Sequence, residues 1–172
     1  MLFLLIWIQI IVCGLFTVLE KLKVKRAIIS KQGENSENYE TFLEIVKRQN
    51  IKVLVVKAGD RIRIDKDTYF DILFPEEKQV EKNILNNNSI VAKLVYKEFS
   101  MLFTGDIEEI AEKRMVSKYE TINMLKANIL KVAHHGSKSS SIKEFLDLAK
   151  PKIALIGVGE NNRISDIRIQ AF

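Results

Sequence analysis

Residues 89–106 read SIVAKLVYKEFSMLFTGD, two apolar runs separated only by Lys97 and Glu98. They predict two adjacent strands joined by a tight turn, with no helix between them. Most of the chain alternates differently. Helical apolar spacing is found over 15–23, 39–49, 107–118 and 141–150. Strand-like runs occupy 24–30, 51–57, 68–75, 127–133 and 152–159. The turn AGDRIRID, 58–65, leads into a second adjacent pair through the alternation of Ile62 and Ile64. Segments 31–38 and 76–88 read as polar connections. A chain that mixes helix crossovers with directly paired strands is not a uniform βαβ array. It predicts a mixed α/β (α+β) sandwich. The length of 172 residues, 47% of them apolar, is enough for one domain with a sizeable core.

Within that frame, chemistry-bearing residues fall at strand ends. The run ANILKVA, 127–133, is followed by His134 and His135, the only histidines of the chain. Neutral imidazole is the commonest metal ligand. Gly136 lets the backbone turn sharply, and Ser137, Ser139, Ser140 or Ser141 could cap the next helix. The competing reading is a solvated His-His turn. LFTGD, 102–106, ends an apolar run in Gly105 and Asp106. Asp106 with Glu109 three residues on has the spacing of a capping box, which the spacing alone favours. The functional reading is a carboxylate at the C-terminal end of a strand, where α/β folds place ligands and where two oxygens can bridge two cations. One Asp and one or two His are too few for a hydrolytic metal centre, which usually has three or more protein ligands per metal. Asp60, Asp65, Asp67 and Asp71 precede or lie within mid-chain strands, away from those ends.

The ordered set NNNSIV, LFTGD, ILKVAHHGSKSSS and GVGENNR resembles the C-terminal metallo-β-lactamase-like domain of ComEC-type competence proteins, bacterial membrane proteins of DNA uptake. The resemblance covers about 14–163; HHGS following TGD at this spacing is its specific part. It implies a four-layer αββα sandwich with a metal site between the sheets. It implies Asp106 as a bridging ligand, His134 or His135 as a ligand, and a divalent metal, Zn or Mn. Asn88 and Ser89 stand near the place where related hydrolases often carry another histidine; Gly105, Gly136 and Ser137 support the two loops. The activity implied is metal-dependent hydrolysis, of a DNA phosphodiester, at the outer face of the cell membrane, with DNA as partner and the membrane reached through the parent protein.

This chain departs from the pattern at both ends. The family opens with S-H-x-D-x-D-H shortly before Gly-Leu; here Gly14-Leu15 follows the apolar MLFLLIWIQIIVC. The family continues NNR with an aromatic residue and G-H-P; here ISDIRIQAF follows. A shifted reading frame would account for both, although the code forces only one of the missing residues. Trp7-Ile8 must then encode Asp, and the codons of Leu4 to Ile11 permit S-H-L-D-T-D-H in register; those of Ile164 to Arg168 permit F-G-H-P. The expectation is a partial domain, 14–163, flanked by 1–13, a frame artefact or membrane anchor, and by an out-of-family tail, 164–172. A locus in which Leu5 is not CTC, or Ile10 not ATC, would exclude the N-terminal half of this idea. Without the first motif the polypeptide is expected to be inactive, and a partial sandwich to expose apolar surface.

Two rival functions are compatible with the residues: a small membrane-tethered or secreted metallo-hydrolase with another ligand set, and a non-catalytic DNA-binding module. The net charge of +5 and the basic run KLKVKR, 21–26, permit phosphate contact, but the run is read first as a solvated turn between a helix and a strand. Cys13 is alone, so neither an internal disulfide nor a cysteine-based zinc site is available.

Overall fold

The structure is a computed structural model, in which residues 2–5, 12–31 and 37–158 are described. The chain divides into two compact units, 1–56 and 57–172.

The first unit holds β1 (Leu2–Leu5), α1 (Val12–Lys21), β2 (Val24–Ser30), α2 (Glu37–Arg48) and β3 (Lys52–Val56). Its strands form one parallel sheet in the order β1-β2-β3. β2 is the central strand, and its run Ala27–Ser30 is buried, as expected of a strand with neighbours on both sides. Leu15 and Leu19 of α1 pack with Ala27, Ile29, Phe42, Ile45 and Val46. The spacing of α2 suggested Phe42, Leu43 and Val46 as one face. The buried set is instead Phe42, Ile45 and Val46, and Leu43 is exposed. The i, i+3, i+4 rule decides this: Leu43 is rotated by about 100° from Phe42. Lys21, Lys23, Lys25 and Arg26 of the basic run are exposed.

The second unit is built on a six-stranded sheet, β4 (Arg61–Arg63), β5 (Thr68–Phe74), β6 (Val91–Tyr96), β7 (Phe99–Phe103), β8 (Ile129–Lys131) and β9 (Ile153–Leu155), in sequence order. β4 to β7 are antiparallel, and β7-β8-β9 are parallel through the crossovers α4 (Glu109–Tyr119) and α5 (Lys143–Ala149). The two directly paired strand pairs read from the sequence are β4-β5 and β6-β7. The turn between the latter places Lys97 at φ 52°. The 76–88 connection contains a short helix, α3 (Ile84–Asn87), as well as loop. One sheet face is covered by the helices: Leu73, Val91, Leu102 and Leu130 pack with Ile107, Ala111, Met115, Phe145 and Leu146. Along the edge strand β9 and just after it, Ile153, Leu155, Ile156 and Val158 are exposed.

The mixed α/β architecture agrees with the class read from the sequence. Among the described residues no helix is long and apolar enough to cross a membrane. The tail 164–172 lies outside the described residues, as do residues 6–11 of the apolar N-terminal segment.

Candidate metal centre

β7 and β8 are parallel neighbours, Phe103 opposite Lys131, so the loops that leave their C-terminal ends emerge side by side. The first is Thr104-Gly105-Asp106 and the second carries both histidines. They are tied together: His134 N–H donates to the Gly105 carbonyl at 3.1 Å, and the Thr104 hydroxyl donates to the Lys131 carbonyl at 2.5 Å.

Asp106 is 1% exposed, and neither carboxylate oxygen has a hydrogen-bond partner among the described residues. The capping-box reading is thereby corrected. The residue flanking α4 is Glu108, whose side chain makes no capping bond, and Asp106 stands before the helix. Gly105 adopts φ +56°, and a Cβ built on it would lie 2.7 Å from Ser89 Cβ. Both the backbone conformation and the space at the turn therefore call for glycine.

The histidines sit in a one-turn 3-10 segment, Ala133–Gly136, rather than at the end of a continuous strand. Three consecutive residues are left-handed: His134 at φ 45°, His135 at φ 54° and Gly136 at φ 81°. Such non-glycine conformations cost on the order of 1–3 kcal/mol each and persist where surrounding bonds over-determine them. Here the bonds are Ser137 N–H to the His134 carbonyl at 2.9 Å and the buried Ser140 hydroxyl, which reaches the Ala133 and Ser137 carbonyls at 3.2 and 3.0 Å.

The two rings diverge. His135 Nε2 is 3.7 Å from Asp106 Oδ1, and its Nδ1 is 2.7 Å from the Gly157 carbonyl. With Nδ1–H donating to that carbonyl, the Nε2 lone pair faces the carboxylate. This is the arrangement by which a ligating histidine is oriented. His134 Nδ1 lies instead 3.5 Å from Glu108 Oε1 and 3.4 Å from Ser139 Oγ. Glu108 also accepts from the side-chain amides of Asn83, Asn86 and Asn87, at 2.7, 3.4 and 3.3 Å, while its own N–H donates to Asn87 Oδ1 at 3.0 Å.

The remaining candidates have structural surroundings. The Asn88 side chain clasps the 80–84 loop, accepting from Val80 N–H and donating to the Val80 and Ile84 carbonyls. Ser89 is buried beside the turn, and its hydroxyl lacks a partner among the described residues. Ser137 closes the histidine turn. None of the serines caps α5: the residue before it is Ile142, and the buried Glu112 of α4 accepts from Ser141 N–H and Ile142 N–H at 2.7 and 2.9 Å. A carboxylate reaching across from the neighbouring helix satisfies those donors better than a short hydroxyl restricted to its own turn.

The aspartates of the mid-chain strands are engaged elsewhere. Asp71 pairs with Arg61 through two bonds of 2.6 and 3.0 Å, and Asp65 receives the N–H groups of Asp67 and Thr68.

Three residues of this region were not singled out from the sequence. Glu112 shares the buried face of α4 with Ala111, Met115 and Tyr119, so a carboxylate in an apolar helical stripe was its signal. Lys131 interrupts an apolar strand. Glu108 had no signal apart from its three distant asparagines. Burial pulls the Lys131 ammonium below the ordinary lysine range, with the Asp106 charge opposing that shift.

Two donors thus converge, a carboxylate whose oxygens have no hydrogen-bond partner among the described residues and an oriented imidazole. Their chemistry suits a divalent cation of the Zn or Mn kind. Among the described residues no group of three or more His, Cys, Asp or Glu side chains comes together to hold a metal ion. They supply part of a ligand set.

A model of the metallo-β-lactamase superfamily matches residues 11–160 of the chain. The chain belongs to the metallo-β-lactamase superfamily. Members of this superfamily generally bind divalent metals. Among relatives, the chain is 36% identical over 141 residues to the ComE operon protein 3 of Bacillus subtilis (strain 168), covering 82% of this chain and 17% of that protein. It is 35% identical over 94 residues to the competence protein ComA of Neisseria gonorrhoeae, covering 54% and 13%. It is 39% identical over 77 residues to the uncharacterized protein YcaI of Escherichia coli (strain K12), covering 45% and 10%. The resemblance to ComEC-type metallo-β-lactamase-like domains drawn from the motifs is therefore shown. The chain spans less than a fifth of the length of each of these curated relatives.

Proposed function

We propose that residues 14–163 are part of a ComEC-type metallo-β-lactamase-like domain whose ancestral activity is metal-dependent hydrolysis of DNA phosphodiesters during DNA uptake. The observation that carries this reading is Asp106, a buried carboxylate whose two oxygens lack hydrogen-bond partners among the described residues and whose Oδ1 lies 3.7 Å from Nε2 of an oriented histidine. Burying such a group without a partner costs several kcal/mol, and a bound cation offsets that cost.

In this reading Asp106 and His135 are the metal-binding residues and His134 is not, because its ring is turned to Glu108 and Ser139. A bound divalent cation would supply Lewis-acid polarisation of the phosphate and a more acidic water. The chain's own residues orient and enclose the site. The Gly157 carbonyl fixes the His135 tautomer, the left-handed turn aims the ring, and Gly105 brings Ser89 against the Asp106 turn. DNA is the partner, and the membrane is reached through the parent protein, with the domain at its outer face. The competence-protein name of one relative and the matching motifs support the DNA-uptake context of this reading.

The same reading holds the polypeptide 1–172 to be inactive, since the two donors found among the described residues are fewer than the three or more protein ligands that position and activate water in a hydrolytic centre. Purified 1–172 incubated with Zn or Mn and labelled DNA is expected to give no cleavage above background. Robust metal-dependent cleavage that Asp106→Ala abolishes would overturn the inactivity and leave the metal assignment standing.

A further inference from the structure

Four buried side-chain atoms lack a hydrogen-bond partner among the described residues: Ser89 Oγ, Asp106 Oδ1, Asp106 Oδ2 and Lys131 Nζ. They are not scattered. Ser89 lies against Gly105, which precedes Asp106. Lys131 is opposite Phe103 on the neighbouring strand and feels the Asp106 charge. The Ser89 and Asp106 atoms border one turn, and Lys131 leaves the strand beside it, within reach of the Asp106 charge.

The carboxylate oxygens have a use in a metal centre, but the ammonium does not. A protonated lysine has three donors and no lone pair, so it cannot bind a metal and is repelled by one. Nor does it reach hydrogen-bonding distance of Asp106. The strand alternation explains how it came to be there. Leu130 and Val132 turn into the helix-covered core, and Lys131 points to the other sheet face, at the end of β8 that leads into the histidine turn. A desolvated ammonium without a partner is costly to keep. A divalent cation at Asp106 would leave the site with excess positive charge. An oxyanion bound to that cation and reaching Lys131 satisfies both the charge and the donors.

We propose that Lys131 is an anion-contact residue of this site, whose ammonium donates to a non-bridging oxygen of a phosphate ester held by a cation at Asp106 and His135. The proposal rests on the metal reading above and adds the group that recognises the substrate's phosphate. Lysine acts here as a point charge with rotatable donors, a usual way of holding phosphate.

The test uses 1–172 with Mn and inorganic phosphate, read by calorimetry and by broadening of the phosphorus resonance. Lys131→Met keeps the length of the stem and buries no charge, and Lys131→Arg keeps the charge; thermal melts confirm that both fold. Mn-loaded wild type should bind phosphate. Lys131→Met should weaken phosphate at least about tenfold, the loss expected for one bond to a charged donor, with Mn affinity unchanged, and Lys131→Arg should retain most of it. Equal phosphate binding by wild type and Lys131→Met overturns the proposal. The metal reading fails separately, if Mn binds wild type no better than Asp106→Ala. The phosphate titrations are then repeated without metal: binding that depends on Lys131 supports the anion contact, and its absence overturns it.

Discussion

Gly105 and the two histidines carry the geometry of the site at the scale of single residues. At Gly105 a methyl group meets both a left-handed backbone and the Ser89 side chain at 2.7 Å. Gly105→Ala is expected to destabilise the protein by about 1–3 kcal/mol, measured by urea denaturation. A change within a few tenths of a kcal/mol would mean that the turn relaxes freely. The histidines separate by function in a metal titration. Zn or Mn should raise the melting temperature of wild type with increasing concentration, because a ligand bound only to the folded state stabilises it by mass action. His135→Ala and Asp106→Ala should remove that rise, and His134→Ala should keep it, since His134 Nδ1 faces Glu108 at 3.5 Å and not the Asp106 carboxylate. A rise lost in His134→Ala but kept in His135→Ala would reverse the assignment.

Between elements, the helix α4 holds the start of α5 through one carboxylate. Glu112 satisfies two N–H groups, and its replacement by alanine leaves both without their acceptor. The cost of Glu112→Ala should be about 2–5 kcal/mol by denaturant unfolding, and Glu112→Gln, which keeps one acceptor oxygen, should lose less. The strand β6 contains a different strained group. Lys93 lies on the helix-covered face with its Nζ 3.3 Å from the Met124 carbonyl, and burial pulls its ammonium below the ordinary lysine value while Asp71 opposes the shift. The folded state then binds fewer protons than the unfolded state between the folded value and 10.5, so stability rises with pH across that window. Below the folded value the penalty is complete. Lys93→Met should flatten this rise, as read from urea midpoints between about pH 7 and about pH 10; an unchanged slope would show that another group produces it. Apart from β1 and α3, the order of helices and strands was readable because each short apolar run has its own period and its own Gly, Pro or polar stop. Glu112 as a cap was not, because its partners are about thirty residues away, and no local pattern encodes a contact that only packing creates.

For the whole molecule, the balance of charge sets what contact with DNA is possible. With a net charge of +5 and an exposed basic run at 21–26, 1–172 should bind DNA weakly without metal, and this binding should fall steeply with salt. Filter binding at two salt concentrations checks it, and salt-independent binding would point to a contact other than phosphates. The mixed α/β class, the two directly paired strand pairs, and the TGD and HHGS loops were determined by sequence alone, since hydrophobic period and turn residues act over a few positions. The family followed from the same motifs. What those residues do in space was decided only by the tertiary structure. The parallel pairing of β7 with β8 brings Asp106 to His135, the Gly157 carbonyl turns one histidine toward the carboxylate, and Glu108 faces the other. The capping box at Asp106 was favoured by spacing and did not form, because Gly105 turns the chain before α4 begins. Lys131 looked like one charge in an apolar strand. Its meaning came from burial beside an unpartnered carboxylate, a property of long-range packing that no stretch of sequence contains.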